Sequence, residues 1–300
     1  MSRFRLLPGA LILLAHLASV ASAQTTLKHK FAEGTEFKTQ VSRKVEQTLK
    51  LGGADIPTKV DMKIGTITSY GKADAEKNVP VETKFESVNA SLSVQGMTVT
   101  FDSANPDEKA ANPQLQVVVD QFRKLHGLTI NYVVSPESNK VVSVERPKGE
   151  TPLDPDDIKT QYQQELDMIP ATPLKPGDKW EQTVHQDLGQ GQVFTFKRHY
   201  EYVGEAPEFA TVPGSRKLDK ITATDSSVDY SIKQGGLTVK SSDLKIESSK
   251  HVYLFDREAG RMVDTDSEVR VSGKLVLSVN NMDLDAVFDL TMTTREQEPK

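Results

Sequence analysis

The feature that most constrains this chain is a pair of alternating runs on either side of a double glycine. Phe37, Thr39, Val41, Val45, Leu49 and Leu51 fall on odd positions, with Lys38, Lys44, Glu46 and Lys50 between them. After Gly52-Gly53 the apolar set moves to even positions: Ile56, Val60, Met62, Ile64 and Tyr70. A period of two sends successive side chains to opposite faces of a strand, so each run offers one face to a core and one to water. The glycine pair supplies the turn of a hairpin. Each run spans some fifteen residues, well beyond the ~5–6 of an ordinary strand. Strands this long must coil strongly or carry bulges.

The same signature continues along the chain. Val79, Val81, Thr83 and Phe85 lead to Leu92 and Val94, and the phase changes across Gln95-Gly96 to Met97, Val99 and Phe101, as a turn or bulge requires. Asn112 as N-cap, Pro113 at the first helical position, the stripe Leu115, Val118, Phe122 and Leu125, and Gly127 as terminator predict a helix over 112–126. Within the proline-rich stretch that follows, Asp154-Pro155 opens a second short helix with Ile158, Tyr162 and Leu166 on one face. Later, Phe194, Phe196, Tyr200 and Tyr202 alternate, with Arg198 read as a break in the pattern. The chain closes on a strict run from Met282 to Met292. The expected fold is mainly β: a long antiparallel meander forming a barrel or half-barrel, with two short helices.

Residues 1–23 read as an export signal. Arg3 and Arg5 precede a short apolar run, and Ala21-Ser-Ala23 gives a small-residue cleavage pattern, so the mature chain is expected to start at Gln24 and to be periplasmic or extracellular. The absence of cysteine excludes disulfides, thiolate metal sites and a lipid-anchored cysteine. Removing Arg3 and Arg5 takes the net charge from −5 to −7. A mildly acidic chain without basic clusters argues against nucleic acid and anionic membrane surfaces. Aromatics are 6% without girdles, and the charged end Arg295-Glu-Gln-Glu-Pro-Lys300 is not a terminal barrel strand, which argues against a membrane-spanning barrel.

Two internal correspondences suggest that one β-unit is used twice. At an offset of 143, Phe31, Gly34, Phe37 and Val41 match Leu174, Gly177, Trp180 and Val184. At an offset of 121, Tyr132 to Val141 matches Tyr253 to Met262, with Asn139 against Gly260, the residue types most tolerant of positive φ. The halves are expected at 24–150 and 174–300, joined by a helical, proline-rich connection at 151–173, with the first helix inserted into the first copy. Because Phe37 replaces Trp180 in the other copy, both aromatics are read as packing at a strand start. Together with the signal, Met168-Ile-Pro170 and Lys175-Pro-Gly-Asp-Lys-Trp180 resemble an uncharacterised family of exported bacterial proteins. There a P-x-x-P-x-K-P-G-D-x-W stretch joins two β-rich halves. That family is a domain of unknown function, so the resemblance implies no activity and no catalytic residues. The architecture is also similar to half-barrel carriers of lipids and lipoproteins in the bacterial envelope, an analogy of fold alone.

Motif searches for catalysis find no G-x-S-x-G elbow, H-E-x-x-H or phosphate-binding glycine loop, and no cofactor is expected. His29, His185, His199 and His251 are read as histidines on wet strand faces, and Asp264, Asp266 and Glu268 as a solvated acidic face. What remains is the apolar face. Met62, Phe85, Met97, Phe101, Phe194, Phe196 and Phe288 suit the lining of an adaptable apolar pocket, and equally a filled core. Two expectations follow: a non-catalytic protein binding a lipid or acyl chain in a curved sheet, or an envelope structural module that meets a protein partner. A hydrolase would need His, Asp and Ser to converge from separate strands.

Overall fold

The computed structural model describes residues 24–107, 109–110, 112–147, 153–189, 191–206, 216–232, 237–279 and 282–299. The export segment and Gly235-Gly236 lie outside the described residues. The first half contains β1 (Glu36–Leu51), β2 (Ala54–Tyr70), β3 (Val79–Val94), β4 (Met97–Asp102), α1 (Gln116–Leu125), β5 (Thr129–Ser135) and β6 (Lys140–Val144). After α2 (Pro155–Asp167) come β7 (Lys179–Asp187), β8 (Gln192–Glu205), β9 (Leu218–Ile232), β10 (Leu237–Asp256), β11 (Arg261–Val279) and β12 (Met282–Gln297). All twelve strands form one antiparallel sheet in the order β6-β5-β3-β2-β1-β12-β11-β10-β9-β8-β7, with β4 paired to β3 off that path. The sheet is curved and not closed.

The first half runs outward from β1 to one edge, and the second runs inward from the other edge to β12. The halves join where β1 pairs with β12 from Gln40↔Gln297 to Leu51↔Ala286, so they share one sheet. The long strands bend at bulges, and the bulges recur. β2 and β3 slip between Gly65 and Thr66, opposite Ser87 and Phe85; β8 and β9 slip between Lys197 and Arg198, opposite Ser227 and Asp225. Likewise β5–β6 shifts at Val133/Val134 and β10–β11 at Leu254/Phe255. The two turns read as matched also hydrogen-bond alike. Gly34 N donates to Tyr70 O and Gly177 N to Tyr202 O, while Thr35 N donates to Ala32 O and Asp178 N to Lys175 O. Gly34 and Gly177 have φ of 75° and 91°, where a Cβ is strained.

Most of the apolar phase of the strands lies on one face, the concave side, while Leu218 and Leu254 form a separate buried cluster with Ala206. Phe194, Phe196, Val271, Phe288 and Leu290 are fully buried there toward the hairpin end. Phe37 and Trp180 pack where their strands begin: Arg261 sits 4.1 Å over the Phe37 ring, and Trp180 stacks on Tyr200 at 5.4 Å and donates to Met168 O. The first helix starts later than its sequence signals: Pro113–Leu115 form a 3-10 turn, and the Asn112 carbonyl accepts from Leu115 N. α1 then packs Val119 and Phe122 against Val88, Val99 and Phe101 on the concave face. At the opposite end, the segment before β1 crosses the sheet, with Thr25 bridged to Leu174 and Lys30 N donating to Gly260 O.

The second helix has a structural task that sequence periodicity does not show. Asp154 caps it by accepting from Asp156 N. Two adjacent side chains then dock on the two free edges of the sheet. Gln163 Oε1 accepts from Val141 N (2.9 Å) and its Nε2 donates to Asn139 O (3.2 Å), at β6. Gln164 Oε1 accepts from His185 N (2.5 Å) and its Nε2 donates to His185 O (3.2 Å), at β7. A primary amide carries the donor and acceptor of a peptide group, so each glutamine stands in for a missing strand neighbour. The helix thus covers two edges open to foreign pairing and straps the curve of the sheet.

Candidate ligand site on the concave face

Directly opposed residues in an antiparallel ladder share a face, so register alone traces a belt across the concave side. It runs through Gln182, Arg198 and Asp225 on β7, β8 and β9. On β10 the register sets His251 opposite Ala223, two residues along the same face from Asp225; from there the belt continues through His251 and Ser267 on β10 and β11, Thr294 and Arg43 on β12 and β1, and Met62 and Ala90 on β2 and β3. From Gln182 to Arg43 this belt is polar, and apolar layers lie on either side of it.

The β8–β11 part of the belt is knitted together. Arg198 donates to Asp225 through Nε (2.7 Å) and Nη2 (3.2 Å), and through Nη1 to Tyr253 Oη (3.0 Å). Ser249 Oγ donates to Asp225 Oδ2 at 3.0 Å, and His251 Nε2 lies 2.8 Å from the same oxygen. With the ring proton on Nε2 toward the carboxylate, Nδ1 accepts from Ser267 Oγ at 2.5 Å. Burial pushes the Asp225 carboxyl up, but the bonds from His251 and Arg198 outweigh it and hold the pKa at about 2. Burial, with the Arg198 charge, keeps His251 neutral by lowering its pKa. Two sequence readings are corrected here. His251 is 1% exposed and is no wet-face histidine, and Arg198 continues the buried face of β8. His29 is likewise enclosed, with burial pulling its pKa down to about 4.

His, Asp and Ser do converge from three strands, the order of a nucleophile relay. The surroundings do not complete one. β11 is paired on both sides around Ser267, so its backbone groups are committed to the ladders and no turn or helix start offers amides for an oxyanion. The arrangement acts as a buried polar clamp joining four strands.

The side chains picked from sequence as a lining divide into separate places. Phe194, Phe196 and Phe288 pack on one another, with Phe194 5.9 Å from Phe288 and 6.0 Å from Phe196, and Tyr230 against both Phe194 and Phe288. Phe101 belongs to the cluster under α1, and Phe85 flanks the cluster under α2. Met97 is 45% exposed at the β3–β4 turn. Met62 lies on the belt beside Arg43 and is half-buried.

Met62 is not isolated in being half-covered. Along the concave face of β1–β3, Val41, Leu49, Leu51, Val60, Ile64 and Leu92 are all partly buried, whereas Val271, Leu275, Leu290 and Phe288 on the adjoining strands are at most 2% exposed. Three charged groups face the same hollow. Water reaches Arg43, Glu165 and Glu296, yet protein surrounds them closely enough that burial dominates their titration. Burial lowers the Arg43 pKa. It raises that of Glu296 and, with the Glu296 charge, lifts Glu165 to about 8. Sequence reasoning passed over Arg43, although a signal existed: it interrupts the apolar phase of β1 between Val41 and Val45.

Asp264, Asp266 and Glu268 occupy the outer face of β11, with Arg295 3.8 Å from Asp264. Among the described residues no group of three or more His, Cys, Asp or Glu is placed to hold a metal ion. A depression of about 570 Å³ at the hairpin end, lined by Lys50, Asp243, Lys274, Asp285 and Val287 among others, opens outward.

No protein-family profile matches the chain, and no curated protein matches it. Among solved structures, one of lipid–protein interactions in lipovitellin is similar with a TM-score of 0.45 at 8% identity, over 90% of this chain and 26% of that one. The chain therefore spans about a quarter of that protein. The outer-membrane protein OccK5 of Pseudomonas aeruginosa gives a TM-score of 0.29 at 7% identity, over 90% of this chain and all of that one. A DUF1329 family protein of Desulfovibrio piger gives 0.16 at 9% identity, over 85% and 84%. No helix of the described residues is long and apolar enough to cross a membrane.

Proposed function

We propose that this chain is an exported, non-catalytic binding protein that holds a lipid or acyl chain in the hollow of its curved sheet. The observation that carries the reading is the half-covered apolar wall of β1–β3, set beside the sealed wall of β11–β12. Apolar surface left in water costs about 25 cal/mol per Å², which an apolar guest recovers. Met62 at the centre of that wall is flexible enough to fit guests of different shape. The competing reading, an envelope interaction module with a filled core, describes the Phe194–Phe196–Phe288 region well but leaves the first-half wall unexplained. Export through residues 1–23 and descent from one duplicated β-unit belong to the same proposal; the recurring turns and bulges support the second.

The test is titration of the chain, purified without residues 1–23, with an uncharged environment-sensitive apolar dye, alongside native mass spectrometry of protein from its own source. Saturable uptake that Met62→Glu abolishes is expected, with circular dichroism checking that the variant folds. A bare chain by mass, together with no dye uptake, refutes the reading.

A further inference from the structure

We infer that Arg43 anchors the acidic head of the bound molecule, so that the guest is an amphiphile with a carboxylate or phosphate head and an apolar tail. The inference deepens the binding reading above and rests on it. β1 lies inside the sheet, paired with β2 and β12 on either side, and the odd phase that carries Arg43 turns to the concave face. The guanidinium is thereby held in the hollow and away from the outer surface.

The Arg43 Nε is buried with no hydrogen-bond partner among the described residues. A buried donor left unmade costs about 1–3 kcal/mol, and more on a charged group. Nε together with one Nη forms the edge that grips carboxylate and phosphate in parallel. The acids nearby leave that edge open. Asp187 and Glu296 act on Arg43 through space, but no carboxylate of a described residue stands within the 4.0 Å of an ion pair. Burial raises the pKa of both Glu165 and Glu296, which weakens their competition for the guanidinium.

The neighbours of Arg43 suit a polar head joined to a long tail. Thr294 opposes it on β12 and Met62 on β2. Toward the hairpin end the same face carries Val45, Leu49 and Leu51, with Val60 opposite Val45. Eight residues of strand from Arg43 to Leu51 span roughly 26 Å at about 3.3 Å per residue, a length that matches an extended acyl chain.

The test compares three probes of equal chain length on the full mature chain: a fluorescent polyene fatty acid, its primary alcohol and its alkyl phosphate monoester. On the wild type the acid or the phosphate binds at least about tenfold more tightly than the alcohol, and whichever is favoured identifies the head. Arg43→Met brings the charged probes down to the alcohol, whose own binding is unchanged, and Arg43→Lys restores part of the preference. The wild-type comparison needs no variant to fold. Equal binding of all three probes to the wild type overturns the anchor and leaves the binding reading standing. Failure of every probe to bind removes both.

Discussion

Asp225→Ala probes the buried clamp most directly. The Asp225 side chain is fully shielded and Arg198 nearly so. Truncation removes the acceptor of two guanidinium bonds, a serine hydroxyl and a histidine ring at once. Breaking a buried pair by deleting one partner costs about 3–5 kcal/mol, because the other charge stays behind. Linkage gives a second handle. The carboxyl titrates at about 2 in the folded chain against 3.8 unperturbed, which at about 1.36 kcal/mol per unit corresponds to about 2 kcal/mol. A depressed folded pKa stabilises above the unfolded value, so this contribution is complete above about pH 4 and is lost as pH falls through 3.8 toward 2. Asp225→Ala should flatten that part of the profile.

The decisive companion is a transplant. The matching positions of the first half carry Thr66, Phe85 and Ile130, placed by the shared bulges and by the offset of 121. Arg198→Thr, Asp225→Phe and His251→Ile together replace the ionic set with the residues at those positions of the first half. Because hydrophobic replacement of a whole buried ionic set is often neutral, the triple variant should lie within about 2 kcal/mol of wild type. Urea unfolding followed by Trp180 fluorescence reads both. If Asp225→Ala cost less than about 1 kcal/mol, or the triple variant fell below the single one, the clamp would be mis-described.

Two further predictions concern α2. Gln163→Ala with Gln164→Ala deletes four side-chain bonds to the sheet edges, worth about 2–4 kcal/mol together; hydrogen exchange at the Val141 and His185 amides should accelerate while Val45 stays protected, and unchanged exchange at both edges counts against the strap. Glu165 titrates at about 8 in the folded chain against 4.5 unperturbed, so the folded state holds an extra proton between those values; the melting temperature should fall as pH rises from 4.5 to 8 and level off above, a slope that Glu165→Gln removes.

The period-two runs, the Gly52-Gly53 hairpin and the Asp154-Pro155 helix start were legible because each is a local preference that the fold obeys. The belt was not, for a physical reason. A charge in the apolar phase of a strand reads as an interruption, as Arg198 and Arg43 do, since burying it is costly unless partners exist. Those partners lie on other strands: Asp225 is 27 residues from Arg198, and Tyr253 is 55 away. Sequence supplies the anomaly and only register supplies the partner. The glutamines of α2 are silent for a related reason, because an amide on a helix surface is ordinary until two sheet edges arrive beside it.

The asymmetry between the halves is therefore more informative than their likeness. With turns and bulges at matching positions, the halves differ in what fills the concave face. At equivalent places one carries Arg198, Asp225 and His251 under a sealed aromatic core, and the other carries Thr66, Phe85 and Ile130 beside a wall left half-covered. A buried ionic set contributes little net stability but fixes geometry, and a half-covered apolar wall gives up stability that a guest can return. The β1–β12 ladder places the two side by side, with Arg43 directly across from Thr294 and two strands from Ser267 and the clamp. A stiff wall beside an adaptable one holds the arginine in place while the apolar side chains adjust, so head-group selectivity should survive substitutions at Met62 or Val60 that change tail affinity.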